Sequence, residues 1–222
     1  MFTKKSITEI VRENYRTADV FKKYGINYCC GGQASLKAAC DLQALNYNGV
    51  LQELKNAVRV VTLPNSTLFA SWRPVFLVEF IINVHHNYVR YIAATLQPMF
   101  LTFVDGHKKK YPGMESIMAI FNPLLNALLK EIDLEEAVIF PYLLQQDELT
   151  DKENMKRQWL DNQAVHNKLL QDLAAATDNY SYPQNACTNH RVIYQKLKEF
   201  HNDFIQHKYL ESEVLYKISK PQ

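Results

Sequence analysis

Glycine and proline are scarce in this chain, six and eight residues among 222, so few positions supply the turns and breaks that separate short strands. No stretch alternates apolar and polar residues between turn signals, which excludes a β-sandwich or a barrel. Charge of one sign is lacking too: 25 Lys and Arg against 23 Asp and Glu leave a net charge of +2. With the basic residues scattered, that balance excludes the electrostatic footprint of a nucleic-acid binder or a basic membrane patch. No apolar run reaches the ~20 residues of a membrane-spanning helix. Residues 1–7 carry no apolar core of the secretory-signal kind, so a cytoplasmic protein is expected. The four cysteines, at 29, 30, 40 and 187, include an adjacent pair and make a poor disulfide framework, which suits free thiols.

What is present is helical periodicity, and the expected fold class is all-α. Residues 1–62 read as a small module of short helices, with Ser6 and Glu9 as a capping box, Gly25 at a helix end, and Ser35 and Asn48 as further caps. The β-branched, uncharged, proline-containing stretch 61–67 marks a boundary. Residues 63–73 are therefore read as a linker and 74–222 as an up-and-down four-helix bundle, its helices near 74–104, 113–145, 152–178 and 187–218. Pro123 is expected to bend or interrupt the second of these.

Steps of three and four along the fourth helix place Phe200, Phe204, His207, Glu211, Val214 and Ile218 on one inward stripe. The same steps give Leu124, Leu128, Glu131, Glu135, Val138 and Tyr142 on the second helix. The third helix contributes Trp159, Asn162, His166 and Leu169. On the first helix two phases fit, one with His85 and Val78, the other with His86 and Val75. Three glutamates on inward stripes need positive charge beside them, because burying an unpaired carboxylate costs several kcal/mol. No Arg or Lys is identified on the facing rungs, so two metal ions are expected to balance the carboxylates and use the imidazole nitrogens. The i,i+4 pairs Glu131 with Glu135 and His207 with Glu211 each put two donors on one helix face about a turn apart. His107 lies too far along its helix to join them, and His190 and His201 fall off the stripe and are expected at the surface.

The segment 21–32, Phe-Lys-Lys-Tyr-Gly-Ile-Asn-Tyr-Cys-Cys-Gly-Gly, followed by Ser35 and Leu36, resembles the N-terminal signature of the repair-of-iron-centres family of the ScdA/YtfE type. The resemblance continues through His85-His86-Asn87-Tyr88-Val89-Arg90, residues 135–141 and residues 183–188, nearly the whole chain. It implies a hemerythrin-like bundle holding two carboxylate-bridged iron ions, with His86, Glu135, His166, His207 and Glu211 as ligands. Glu131 departs from the pattern, since the family has a histidine there, and an anionic oxygen ligand makes manganese more plausible.

The resemblance further implies repair or protection of iron–sulfur clusters damaged by nitric oxide or oxidants, through iron delivery or nitric oxide reduction. Its partners would be nitric oxide or oxygen and damaged iron–sulfur proteins, with a homodimer left open. The rival readings are a hemerythrin-like sensor that binds oxygen or nitric oxide without turnover, and a metal-free interaction protein. Cys29 and Cys30 are adjacent and cannot easily share one metal, while Gly31 and Gly32 let the backbone expose a thiolate. They are read as the catalytic or iron-handling thiols, and Cys40 and Cys187 as structural.

Overall fold

The computed structural model describes residues 2, 4–29, 32–60, 63, 67–145 and 152–219. The described residues form eight helices and no β-strand, the all-α class expected, with one isolated antiparallel bridge between Ser6 and Ser35. The chain divides into two compact units, Met1–Pro64 with Ser181–Lys196, and Asn65–Tyr180 with Leu197–Gln222. The first unit thus takes in the first turns of the last helix, which the sequence reading assigned to the bundle.

In the first unit α1 (Ile7–Glu13) starts from a complete capping box: Ser6 N–H donates to Glu9 Oε2 at 2.7 Å, and Glu9 N–H donates to Ser6 Oγ at 3.3 Å. The helix α2 (Thr17–Lys23) closes with Gly25 at φ +67°. There Ile26 N–H donates to Phe21 O and Gly25 N–H to Lys22 O, the paired bonds of a Schellman end. Ser35 caps α3 (Leu36–Leu42) through Ala38 N–H. The cap of α4 (Tyr47–Ala57) is Asn46, whose Oδ1 accepts from Gly49 N–H at 3.2 Å, and not Asn48 as expected. Ile7, Ile10, Phe21, Leu36, Val50 and Leu54 form the core of this unit, each at most 2% exposed.

Tyr28 and Gly32 are pinned against the start of α1. Thr8 N–H donates to Gly32 O at 2.9 Å and Thr8 Oγ1–H to Tyr28 O at 2.8 Å. A Cβ on Gly32 would collide with Thr8 Oγ1 and lie 2.9 Å from Tyr28 O, so this position needs glycine for close approach. Gly32→Ala should destabilise the unit by about 1–3 kcal/mol, the usual scale of overpacking. Chemical denaturation would measure it, and an unchanged midpoint would refute the contact.

The second unit holds α5 (74–107), α6 (113–145), α7 (Lys152–Ala176) and the greater part of α8 (188–218). Their ends fall within three residues of those expected. Pro74 opens α5 at its first turn, where a missing N–H costs nothing. Of the two outcomes expected at Pro123, a bend or an interruption, the interruption does not occur: α6 runs on through it, and α5 likewise continues through Pro98. Each proline gives up a single backbone donor while the apolar faces on both sides of it, including Leu96, Phe100, Phe121, Leu124 and Leu125, remain fully buried.

Three helices contain a π-turn: Ile81–His86 in α5, Glu135–Ile139 in α6 and Leu210–Leu215 in α8. Each adds a residue to one turn and shifts the phase of what lies beyond. That shift corrects the stripes read from uniform periodicity. Past Glu135 both Ile139 and Phe140 are buried, while Val138 is 41% exposed, and past Glu211 both Val214 and Leu215 are buried. On α5 the shift buries His85 and His86 together. On α7, Leu170 is buried and Asn162 exposed, so Leu170 takes the place expected for Leu169.

Candidate metal centre

Each of the four long helices sends ionisable side chains to one level of the second unit. His86 comes from α5, Glu131 and Glu135 from α6, His166 from α7, and His207, Lys208 and Glu211 from α8, none more than 6% exposed. The three π-turns coincide with His86, Glu135 and Glu211. π-turns recur at functional sites because the widened turn re-aims side chains that a regular helix would leave misdirected. On one side of this level an apolar cluster that includes Leu77, Ile81, Phe140, Trp159, Leu210 and Leu215 excludes water.

His86, Glu135, His207 and Glu211 each offer a ligand atom within 4.8 Å of all the others. His86 Nε2 lies 3.1 Å from His207 Nε2, 3.4 Å from Glu135 Oε2 and 3.6 Å from Glu211 Oε1. Glu211 Oε1 is also 2.7 Å from His207 Nε2. Two imidazole nitrogens and two carboxylate oxygens therefore converge on one point. Unless an imidazole carries the proton, Glu135 Oε2 and Glu211 Oε1 have no hydrogen-bond donor in that buried space, and such a gathering of acceptors is stable only around a cation or a shared proton.

In the metal-free protein a proton can serve. Burial works against charge on His86, but hydrogen bonds with Glu135, Glu211 and Glu136 outweigh it and raise its pKa to about 9. A metal ion held by the same four atoms would displace that proton. Two imidazoles and two carboxylates, oxygen and nitrogen donors without thiolate, suit iron or manganese. The donor set fits such an ion.

The surroundings aim the ligands. His86 Nδ1–H donates to Glu136 Oε1 at 2.7 Å, and Arg90 holds the same oxygen at 2.9 Å. This fixes the ring so that Nε2 faces the cluster. The indole N–H of Trp159 donates to Glu135 Oε1 at 3.0 Å. His85, the rejected alternative on α5, stacks on His207 with ring centroids 5.5 Å apart, and its Nδ1 is 2.9 Å from Asp203 Oδ1. Glu136→Gln should weaken metal binding by roughly 10–100-fold, the usual effect of removing a group that orients a ligating histidine. Chelator competition would measure it; an affinity unchanged within threefold would count against this role.

Glu131 and His166 meet apart from the four-ligand cluster, with His166 Nδ1 2.9 Å from Glu131 Oε2. Between them and the cluster stands Lys208. Its Nζ is 2.9 Å from Glu131 Oε2, 3.4 Å from Glu135 Oε1 and 2.8 Å from Glu211 Oε2. The expectation that no Lys or Arg faces the glutamates is thus overturned. The reason is visible in the sequence: Phe204, His207, Lys208 and Glu211 follow the i, i+3, i+4, i+7 pattern of one helix face, and a stripe traced through single steps skips Lys208. Burial lowers the tendency of Lys208 to stay charged, but Glu211, Glu135 and Glu131 outweigh it and hold the ammonium. Burial raises the Glu131 carboxyl, yet His166 and Lys208 together keep it below its ordinary range.

The remaining candidates lie elsewhere. Cys29 belongs to the first unit and is half-buried, and its N–H donates to Asn27 Oδ1 at 3.0 Å. Cys30 lies outside the described residues. Cys40 is fully buried and Cys187 half-buried. His190 is not at the surface as expected but 3% exposed, packed edge-on to Tyr194 with ring centroids 4.8 Å apart. His201 is half-buried with Nδ1 2.8 Å from the Tyr180 hydroxyl, and His107 bonds the Phe103 carbonyl at the far end of α5.

Residues 3–58 match the family model ScdA_N, described as a domain of unknown function (DUF542). Over 98% of this chain and 99% of the relative, the sequence is 26% identical to the iron-sulfur cluster repair protein ScdA of Staphylococcus epidermidis. It is also 26% identical to the iron-sulfur cluster repair protein YtfE of an Enterobacter species, over 97% of this chain and 96% of that protein. With YtfE of Cronobacter sakazakii the identity is 28% over 90% and 89%.

Proposed function

The chain belongs to the repair-of-iron-centres family of the ScdA and YtfE type, and from that premise we propose that it repairs or protects iron–sulfur clusters damaged by nitrosative or oxidative stress. Iron is the resident metal in this reading, held by His86, Glu135, His207 and Glu211. The observation that carries it is the convergence of those four buried donors on one point. Among the described residues no helix is long and apolar enough to cross a membrane.

Bound iron would supply an exchangeable coordination position, able to take a small diatomic ligand or to be released to a client cluster. The chain's own residues prepare that position. Glu136 and Arg90 orient His86, the Trp159 indole N–H restrains one oxygen of Glu135, and the apolar cluster around Phe140 and Leu210 keeps bulk water away. Cys29 and Cys30 act as iron-handling thiols in the same reading.

The test is recovery of a nitric-oxide-damaged [4Fe–4S] dehydratase under anaerobic conditions. Iron-loaded protein should restore its activity and the His207→Ala variant should not; equal recovery with chelator-stripped protein would overturn the reading. Reversible nitric oxide binding with neither nitrous oxide nor cluster recovery would point instead to a sensor. The double variant Cys29→Ser, Cys30→Ser should lose at least half of the recovery rate while keeping its iron, and full retention would remove the thiols from the mechanism.

A further inference from the structure

The two oxygens of Glu135 face different neighbours, and so do those of Glu211. Glu135 Oε2 and Glu211 Oε1 face the histidine pair, whereas Glu135 Oε1 and Glu211 Oε2 face Lys208. In a two-metal centre bridged by carboxylates, one oxygen of each bridge serves each ion. The structure therefore has the outline of such a centre, with the first ion's position among His86, His207, Glu135 and Glu211. The second position would draw on Glu135 Oε1, Glu211 Oε2, Glu131 and His166. Within 3.4 Å of an oxygen of all three glutamates lies the Lys208 ammonium.

We infer that this protein holds a single metal ion, with the Lys208 ammonium standing permanently in place of a second. The inference rests on the proposed iron site. A cation already paired to the three glutamate oxygens blocks a second ion sterically and by like-charge repulsion in a buried space.

The charge balance agrees. Three carboxylates and one ammonium leave a net charge of −2 on those four side chains, which one divalent ion neutralises; a second divalent ion would bring them to +2. The Glu131 departure fits the same logic. A carboxylate at that position gives the ammonium an anionic partner at 2.9 Å, which a histidine would not. Glu131 and Lys208 then form a matched pair, with His166 Nδ1 2.9 Å from the Glu131 carboxylate.

Metal quantification of full-length protein, loaded anaerobically with excess ferrous iron and desalted, decides the matter without an activity assay. One iron per chain, with a mononuclear high-spin ferric resonance after oxidation, is expected. Two irons per chain with an exchange-coupled, resonance-silent ferric form would overturn the inference while leaving the iron site intact. Iron no higher than background would overturn the proposed iron site and this inference with it. The double variant Lys208→Met, Glu131→His should rise to two irons per chain. If it keeps its helical circular dichroism and still stops at one, Lys208 is not the excluding group. The wild-type count stands as a test by itself should that variant fail to fold.

Discussion

Lys208→Ala is expected to lower the melting temperature of the metal-free protein by roughly 6–20 °C. Removing one partner of a buried ion pair costs about 3–5 kcal/mol, and for chains of this size each kcal/mol shifts the midpoint by about 2–4 °C. Lys208 serves three carboxylates at once, so its loss leaves Glu131, Glu135 and Glu211 without their shared ammonium. The deficit should grow with pH. Burial and the Glu211 charge already push the Glu135 carboxyl up to about 7, and without the ammonium it moves further up. An acid whose folded pKa lies above its unfolded value favours folding at low pH and loses that advantage as pH rises through the folded value. The gap between wild type and variant is thus wider at pH 8 than at pH 5. Scanning calorimetry in chelator at both pH values measures it. Adding Glu131→Leu to Lys208→Met should recover part of the loss, because replacing both partners leaves fewer buried charges unpaired. A shift under about 2 °C for Lys208→Ala would place the ammonium outside the core.

Glu211→Ala should weaken iron binding by at least about 100-fold, more than the roughly 10–100-fold cost of losing a group that merely orients a ligand. This carboxylate touches both histidines of the cluster and the lysine beside it. Oε1 lies 2.7 Å from His207 Nε2 and 3.6 Å from His86 Nε2, while Oε2 holds Lys208 at 2.8 Å. The variant removes a ligand and also frees the ammonium to move toward the metal position, where its charge repels the ion. Competition with a calibrated ferrous chelator reads the loss. Asp203→Ala serves as the control, since Asp203 contacts His85 at 2.9 Å and contributes no atom to the four-ligand cluster; its affinity should fall less than tenfold. If both variants bind alike, Glu211 is not a ligand.

Iron content and stability should also move in opposite directions at these two positions. Losing the ammonium opens room for a second ion, so metal restores stability to Lys208→Ala by mass action. Losing Glu211 removes the means of binding, so added iron rescues little. That contrast separates a residue that competes with metal from one that holds it.

Much of the molecule was legible along the chain because the signals are local. The Ser6–Glu9 box, the Gly25 helix end and the Ser35 cap are set by neighbours within a few residues, and the structure carries all three. Helix ends in the second unit followed from the same short-range patterns. Asn46 displaced Asn48 as a cap because both side chains suit the role and only the actual start of the helix chooses between them. Continuation through Pro123 was not legible, since what keeps α6 intact is the burial of Leu124, Leu125 and Phe121 against other helices.

That a helical bundle would bury glutamates and histidines at one level is written in residue type and a spacing of three or four, which are properties of a single helix. What neutralises them depends on how the helices pack. A π-turn shifts phase by one residue, and three π-turns combine to set which side chains meet. Through them His85 and His86 are both buried yet turned to different partners, and Lys208 reaches oxygens contributed by two helices. Such meetings depend on where separate helices lie in space, and no period read along one of them contains that information.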